Sequence, residues 1–159
     1  MHMKNIFLLL SLLSLFFCKE GPEAALNEDF EYVDASKPLP FEKLVGLYKL
    51  DEDSKKRYNI PLDLDLTLDI KIDKTFVANN YLEPKTHQLH NKNLISFFYY
   101  HNDYKEKHPT ISIFSDESVF FNNINIYYRK KDSVLALYIY TPPPKGQEHG
   151  DYLRYIKVK

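Results

Sequence analysis

Histidines and carboxylates are the first side chains to weigh for chemistry in this chain of 159 residues. His87 and His90 stand three apart, His101 and His108 follow in the next polar stretch, and His149 falls near the end. Two imidazoles with a carboxylate such as Glu83 would make a shell for a divalent metal if their loops converged. All of them lie in segments rich in Asn and Lys, where histidine is ordinarily solvated, so neither a metal nor another cofactor is expected. Asp63-x-Asp65 followed by Asp69 has the acidic density of a calcium loop, but such loops need a glycine at their sharp turn. The leucines between these aspartates hold the chain extended. The carboxylates therefore read as a solvent-facing row, relieved by lysines on a neighbouring strand. Gly21, Gly46, Gly146 and Gly150 cannot build a phosphate-cradling fingerprint, and Gly-x-Ser-x-Gly is absent. The expectation is a chain without enzymatic activity.

Cys18 is the sole cysteine, so no intrachain disulfide can form. It follows Lys4 and an apolar run from Ile6 to Phe17, the order of the charged and apolar regions of a secretory signal. That run is far shorter than the roughly 20 apolar residues a membrane-spanning helix needs. Ser14-Leu15-Phe16-Phe17-Cys18 resembles a bacterial lipobox, with Phe17 in place of the usual small residue. Lys19-Glu20 resembles a surface-export signal of Bacteroidetes-type lipoproteins. The resemblance implies residues 1–17 as a lipoprotein signal peptide and Cys18 as the lipidated first residue of the mature chain. Such a chain would be tied by palmitate-type acyl chains to the cell envelope, at one leaflet of the outer membrane. Each buried methylene contributes about 0.8 kcal/mol, and a diacylglyceryl group supplies the two chains that stable anchoring takes.

Without Lys4, 20 basic residues face 22 acidic ones, a net charge of −2. No basic patch is interleaved with aromatics, so nucleic acid is not an expected partner. Residues 18–40, with Gly21, Pro22, Pro38 and Pro40 among acidic residues, read as the lipidated cysteine and a flexible tether.

The domain is expected to span residues 41–159. Phe41–Leu44 reads as a helical turn, Val45–Leu50 as a first strand, and Asp51–Arg57 as a charged loop. From Leu62 to Ile72 apolar and polar residues alternate without a break, the period of a half-buried strand. Asp73-Lys74 turns it into Thr75–Tyr81. Further strands follow at Leu94–Tyr100, Thr110–Phe114, Ile124–Arg129, Val134–Tyr140 and Tyr152–Val158, with a short one at Ser118–Phe121. Asn91-Lys92-Asn93 reads as a turn, and Pro142–Asp151 as a stiffened loop. Short strands at even spacing imply an all-β fold, a single antiparallel barrel or sandwich of about eight strands.

Val45-Gly46-Leu47-Tyr48, the long alternation and Asp73-Lys74-Thr75-Phe76 resemble the opening of small bacterial lipocalin-like lipoproteins. In that group Gly-x-Trp and Asp-Gly-Thr-Phe are usual; here Tyr48 replaces Trp and Lys74 replaces Gly. The domain as a whole resembles uncharacterised Bacteroidetes-type small lipoproteins.

Aromatics are abundant, with 13 Tyr and 11 Phe and no Trp. Phe97–Tyr100, Tyr127-Tyr128 and Tyr138–Tyr140 put rings on both faces of their strands. One face must be core; the other is a packed ladder, a partner surface or the lining of a pocket. Tyr100, Tyr128 and Tyr138 are the candidate ligand-binding residues. The function expected is a non-enzymatic binding module for a small apolar ligand or a protein partner. The alternative is an inhibitor or immunity-type lipoprotein that meets a toxin or envelope enzyme through Asp63, Asp65 and Asp69.

Overall fold

In a computed structural model of the chain, the described residues are 29–34, 36–37, 39–101, 109–115, 118–143, 145–146 and 148–158. The expected signal peptide, Cys18 and the first part of the tether lie outside them. The elements run β1 (Phe30–Tyr32), α1 (Phe41–Leu44), β2 (Gly46–Leu50), α2 (Glu52–Arg57), β3 (Thr67–Ile70), β4 (Thr75–Leu82), β5 (Leu89–His101), β6 (Thr110–Ser115), β7 (Ser118–Arg129), β8 (Leu135–Thr141) and β9 (Asp151–Lys157). From β2 to β9 each strand is antiparallel to the next, and β9 bonds back to β2. Eight strands therefore close into an up-and-down barrel rather than a sandwich. α1, the β3–β4 turn and the β7–β8 turn form its lower end; α2 and the β4–β5 turn form its upper end.

Alternation fills the interior. Tyr48, Leu68, Ile70, Phe76, Ala78, Phe98, Ile111, Ile113, Ile124, Ile126, Leu137, Ile139, Leu153 and Tyr155 are all buried in one cluster. Closure covers most of the edges that an open sheet would leave to aggregate, the upper part of β5 excepted among the described pairings.

The long alternating run is only partly strand. β3 covers Thr67–Ile70, while Leu62 and Ile72 are more than half exposed. Backbone groups need partners, and β2, the neighbour of β3, is only five residues long. Its ladder extends no further than the Leu50 N donation to Leu66 O at 3.0 Å. Before that point Leu64 N turns back onto Pro61 O at 3.1 Å, and Ile72 is spent in the β3–β4 turn. Conversely, Asn91-Lys92-Asn93 is not a turn but part of β5, with Asn93 opposite Asn79 on β4. Ser118–Phe121 and Ile124–Arg129 merge into one strand, β7.

Asp51–Arg57 is a helix rather than a loop. The Asp51 carboxylate accepts Ser54 N at 2.8 Å, with acidic residues in the first turn and basic ones in the last. Both features suit the orphan amides and dipole of a short helix. No apolar periodicity announced it, because Ser54 and Lys55 are the residues it buries.

The folded unit also begins earlier than Phe41. β1 pairs with β7 at Tyr127–Arg129, beyond the stretch of β7 that β6 covers. Val33 and Leu39 enter the core cluster, and Phe41 packs against it. The Tyr100 hydroxyl donates to Leu39 O at 2.7 Å and the Tyr48 hydroxyl to Leu44 O at 2.8 Å. Of the stretch assigned above to the tether, β1 thus packs on the outer wall while Val33 and Leu39 help close the lower end. Single apolar residues among prolines and acids gave no periodic signal, yet each finds a ready site on the barrel.

In the β3–β4 turn Lys74 has φ of +64°, a left-handed conformation that costs a side-chain-bearing residue about 1–2 kcal/mol. Asp73 steadies the turn by accepting Thr75 N at 2.9 Å. Lys74→Gly is expected to raise stability by about 0.5–1 kcal/mol, since the relieved strain exceeds the entropy glycine adds to the unfolded chain. A higher urea midpoint at unchanged slope is the readout.

Candidate functional site

The three tyrosines singled out from the sequence do not line one void. Tyr100 and Tyr128 point to the lower part of the interior, packed against the main core cluster. Tyr138 faces the other side of the wall, in a second cluster with Phe30, Tyr127 and Ala136. There the rings of Tyr127 and Tyr138 lie 4.1 Å apart, and Phe30 meets Tyr138 edge-on at 5.8 Å. β1 covers this aromatic ladder from outside. β8 does not carry rings on both faces as expected: Tyr138 and Tyr140 stand two apart and share the outward face, while Leu137 and Ile139 enter the core.

Burial pushes the phenols of Tyr100 and Tyr138 up to about 12, with the nearby Tyr128 adding to the rise at Tyr100 and Arg154 opposing it at Tyr138. Tyr48 and Tyr155 are raised further, again chiefly by burial. A phenol whose folded value exceeds its unfolded value near 10 contributes stability that is complete below pH 10 and lost as pH climbs through 12. Alkaline titration is therefore expected to show phenolate absorbance and loss of strand circular dichroism rising together over that window. Full ionisation of all 13 tyrosines with the β signal intact would contradict it.

The histidines disperse. His90 Nε2 lies 3.3 Å from Glu83 Oε2 and its ring stacks on Tyr81 at 4.9 Å. The ring of His87 stands edge-on to Tyr58 at 5.7 Å, and its Nε2 is buried without a hydrogen bond. His101 and His149 are exposed, and His108 lies outside the described residues. Among the described residues, no three His, Cys, Asp or Glu side chains converge as metal ligands. The acidic row is largely neutralised: Lys49 on β2 sits 3.2 Å from Asp65, and Lys71 pairs with Asp69.

Two surface features remain unabsorbed by the fold. On the outer wall, Ile95, Phe97 and Tyr99 of β5 are 70 %, 71 % and 62 % exposed in consecutive outward positions. Half-buried Val77 of β4 lies opposite Ile95 and extends the patch sideways. β6 pairs with β5 only from Phe97 to His101, so Leu89–Ile95 is bonded to β4 alone among the described pairings. The two tyrosines and two phenylalanines in a row announced rings on both faces; only the pairing told which rings lie bare.

At the lower end, a cleft of about 770 Å³ is lined by Glu31, Lys43, Tyr128, Ser133, Val134, Leu135, Lys157 and Val158. A second cleft of about 440 Å³ shares Glu31, Lys43 and Tyr128 with it. Nothing in the sequence foreshadowed this, since Lys43 and Lys157 stand 114 residues apart.

These features define a closed eight-stranded antiparallel barrel whose inward side chains form one buried apolar cluster. No family model matches the chain, and neither does any curated protein or solved structure.

Proposed function

We propose that this chain is an exported, lipid-anchored cell-envelope protein, acylated at Cys18, whose barrel is a non-enzymatic module for capturing a protein partner. An extended apolar segment of the partner adds as a strand beside Leu89–Ile95, the upper part of β5 that pairs with β4 alone among the described residues, and its side chains meet Ile95 and Phe97. The observation that carries this reading is the exposed row Ile95, Phe97 and Tyr99 beside a stretch, Leu89–Ile95, that among the described residues pairs with β4 alone. Main-chain hydrogen bonds supply affinity in such strand addition, and alternate side chains supply specificity. A bare apolar patch of this kind is a recognised mark of association. The interior offers less support for carriage of a small apolar ligand, because Phe76, Phe98, Ile113 and Ile139 are packed there in one buried cluster. An inhibitor acting through the acidic row is likewise weakened, since Lys49 and Lys71 already neutralise Asp65 and Asp69.

A photoreactive phenylalanine analogue at Phe97, in envelopes of producing cells, is expected to yield one discrete cross-linked product. The same analogue at Asp53, exposed on α2, should not. Ile95→Glu should abolish the product while shifting stability by no more than about 0.5 kcal/mol, as exposed positions do. Equal labelling at both positions, or labelling that survives Ile95→Glu, would sink the reading.

A further inference from the structure

The larger lower cleft combines two cations, a phenol and an apolar floor. Lys157 Nζ donates to Lys43 O at 2.5 Å and stands 5.9 Å over the Tyr48 ring. An ammonium carries three donors, so this contact leaves donor capacity on a side chain that lines the cleft. Burial holds the Lys157 ammonium below its usual value, a penalty that a neighbouring anion would relieve. Tyr128 lines the cleft with a phenol that burial keeps protonated, hence a donor. Val134 and Leu135 form the apolar side, with Val158 at the rim. Glu31 is the one carboxylate among the lining residues.

We propose that this cleft binds the anionic head of an amphiphile, with Lys43, Lys157 and Tyr128 holding the head and Val134, Leu135 and Val158 the first part of its chain. Hydrogen bonds from a cation to an anionic oxygen are roughly twice as strong as neutral ones, and the apolar strip beside them rewards an attached hydrocarbon. The head group belongs either to a bilayer lipid or to a free amphiphile such as a fatty acid. Geometry brings the bilayer within range. Lys130 N donates to Asp29 O at 2.8 Å, which places Asp29 at this same end. Ten residues lie between Cys18 and Asp29, so the two are at most about 40 Å apart even when that stretch is fully extended. That bilayer argument rests on the acylation of Cys18; the cleft chemistry does not, and neither depends on the β5 edge.

The test titrates the purified chain with decanoate, decanol and decyltrimethylammonium by calorimetry, and measures sedimentation with vesicles of phosphatidylglycerol or phosphatidylcholine. Expected is saturable binding of decanoate, of phosphatidylglycerol vesicles, or of both, with little response to the neutral and cationic probes. Decanoate alone identifies a free amphiphile; vesicles alone identify a lipid head group. Lys157→Gln and Lys43→Gln should each weaken binding about tenfold, and Glu31→Gln should strengthen it about threefold. The gain in Glu31→Gln keeps the test valid should a lysine variant unfold. Binding indifferent to these three substitutions, equal response to decanol, or no response to any anionic probe would overturn the proposal. Loss of Phe97 cross-linking would leave it untouched.

Discussion

A chain that begins at Phe41 is expected not to fold to a cooperative native state. Removing the preceding residues takes away Phe30, Val33 and Leu39, each buried to within 5 % of complete coverage. Burial of one such side chain stabilises by about 1.5–3 kcal/mol, so three of them approach the whole stability of an ordinary domain, about 5–15 kcal/mol. The loss does not end there. Without β1, Tyr127 and Tyr138 face water on the outer wall, and the Tyr100 hydroxyl loses the Leu39 carbonyl that accepts from it. Urea unfolding followed by circular dichroism should show a broad, shallow change for this chain. A chain beginning at Asp29 keeps every contact described above and should unfold in one sharp step. A sharp transition from the Phe41 chain would return residues 30–40 to the role of a tether.

Arg154→Leu should cost about 3–5 kcal/mol. Arg154 projects from β9 between β1 and α2, with its side chain only 10 % exposed. It pairs with Asp51, reaches Asp53 at 2.9 Å, hydrogen-bonds Tyr138, and lies 4.6 Å over the Phe30 ring. Its backbone joins in: Arg154 N donates to Ser54 Oγ at 3.0 Å and Asp51 N to Arg154 O at 3.0 Å. One guanidinium thus ties the helix cap, the last strand and the N-terminal strand together. Removing it strands the Asp51 carboxylate, itself 9 % exposed, and an uncompensated buried charge is the expensive outcome. The size of the effect therefore hinges on Asp51. In the double variant Asp51→Asn/Arg154→Leu the stranded charge is gone while the asparagine still caps α2, so about 1–3 kcal/mol should return. Urea midpoints for the two single variants and the double variant decide it. Strictly additive losses would mean that the ion pair contributes no coupling.

Most strands were legible because alternation is a local property. β4, β6, β8 and β9 lie within two residues of their expected ends. The misreadings share one cause. Leu62–Leu64 alternates perfectly yet has no strand beside it among the described pairings; Asn91–Asn93 looks like a turn yet has β4 beside it. A strand exists only where a second strand meets its amides and carbonyls. α2 escaped notice for a related reason: its stability comes from the Asp51 cap and the underlying β9, not from an apolar stripe.

Of the candidate site, the sequence supplied the rings but not their exposure. Phe97 and Tyr99 carry the same pattern as Tyr127 and Tyr138, and both pairs point outward. β1 covers the second pair, while the first stays largely exposed. Likewise the lysines of the lower cleft have no mark in the sequence, because their meeting depends on how far the C-terminal strand runs past α1.

The order of residues by itself determined that the chain is a β protein with an apolar side and a wet side on most strands, since side-chain direction reverses at every residue of extended backbone. Only the tertiary structure decided that the sheet closes, that Phe30, Val33 and Leu39 pack onto it, and which outward rings are most exposed. Those outcomes depend on hydrogen bonds and contacts between segments far apart in the chain, and no short stretch carries that information.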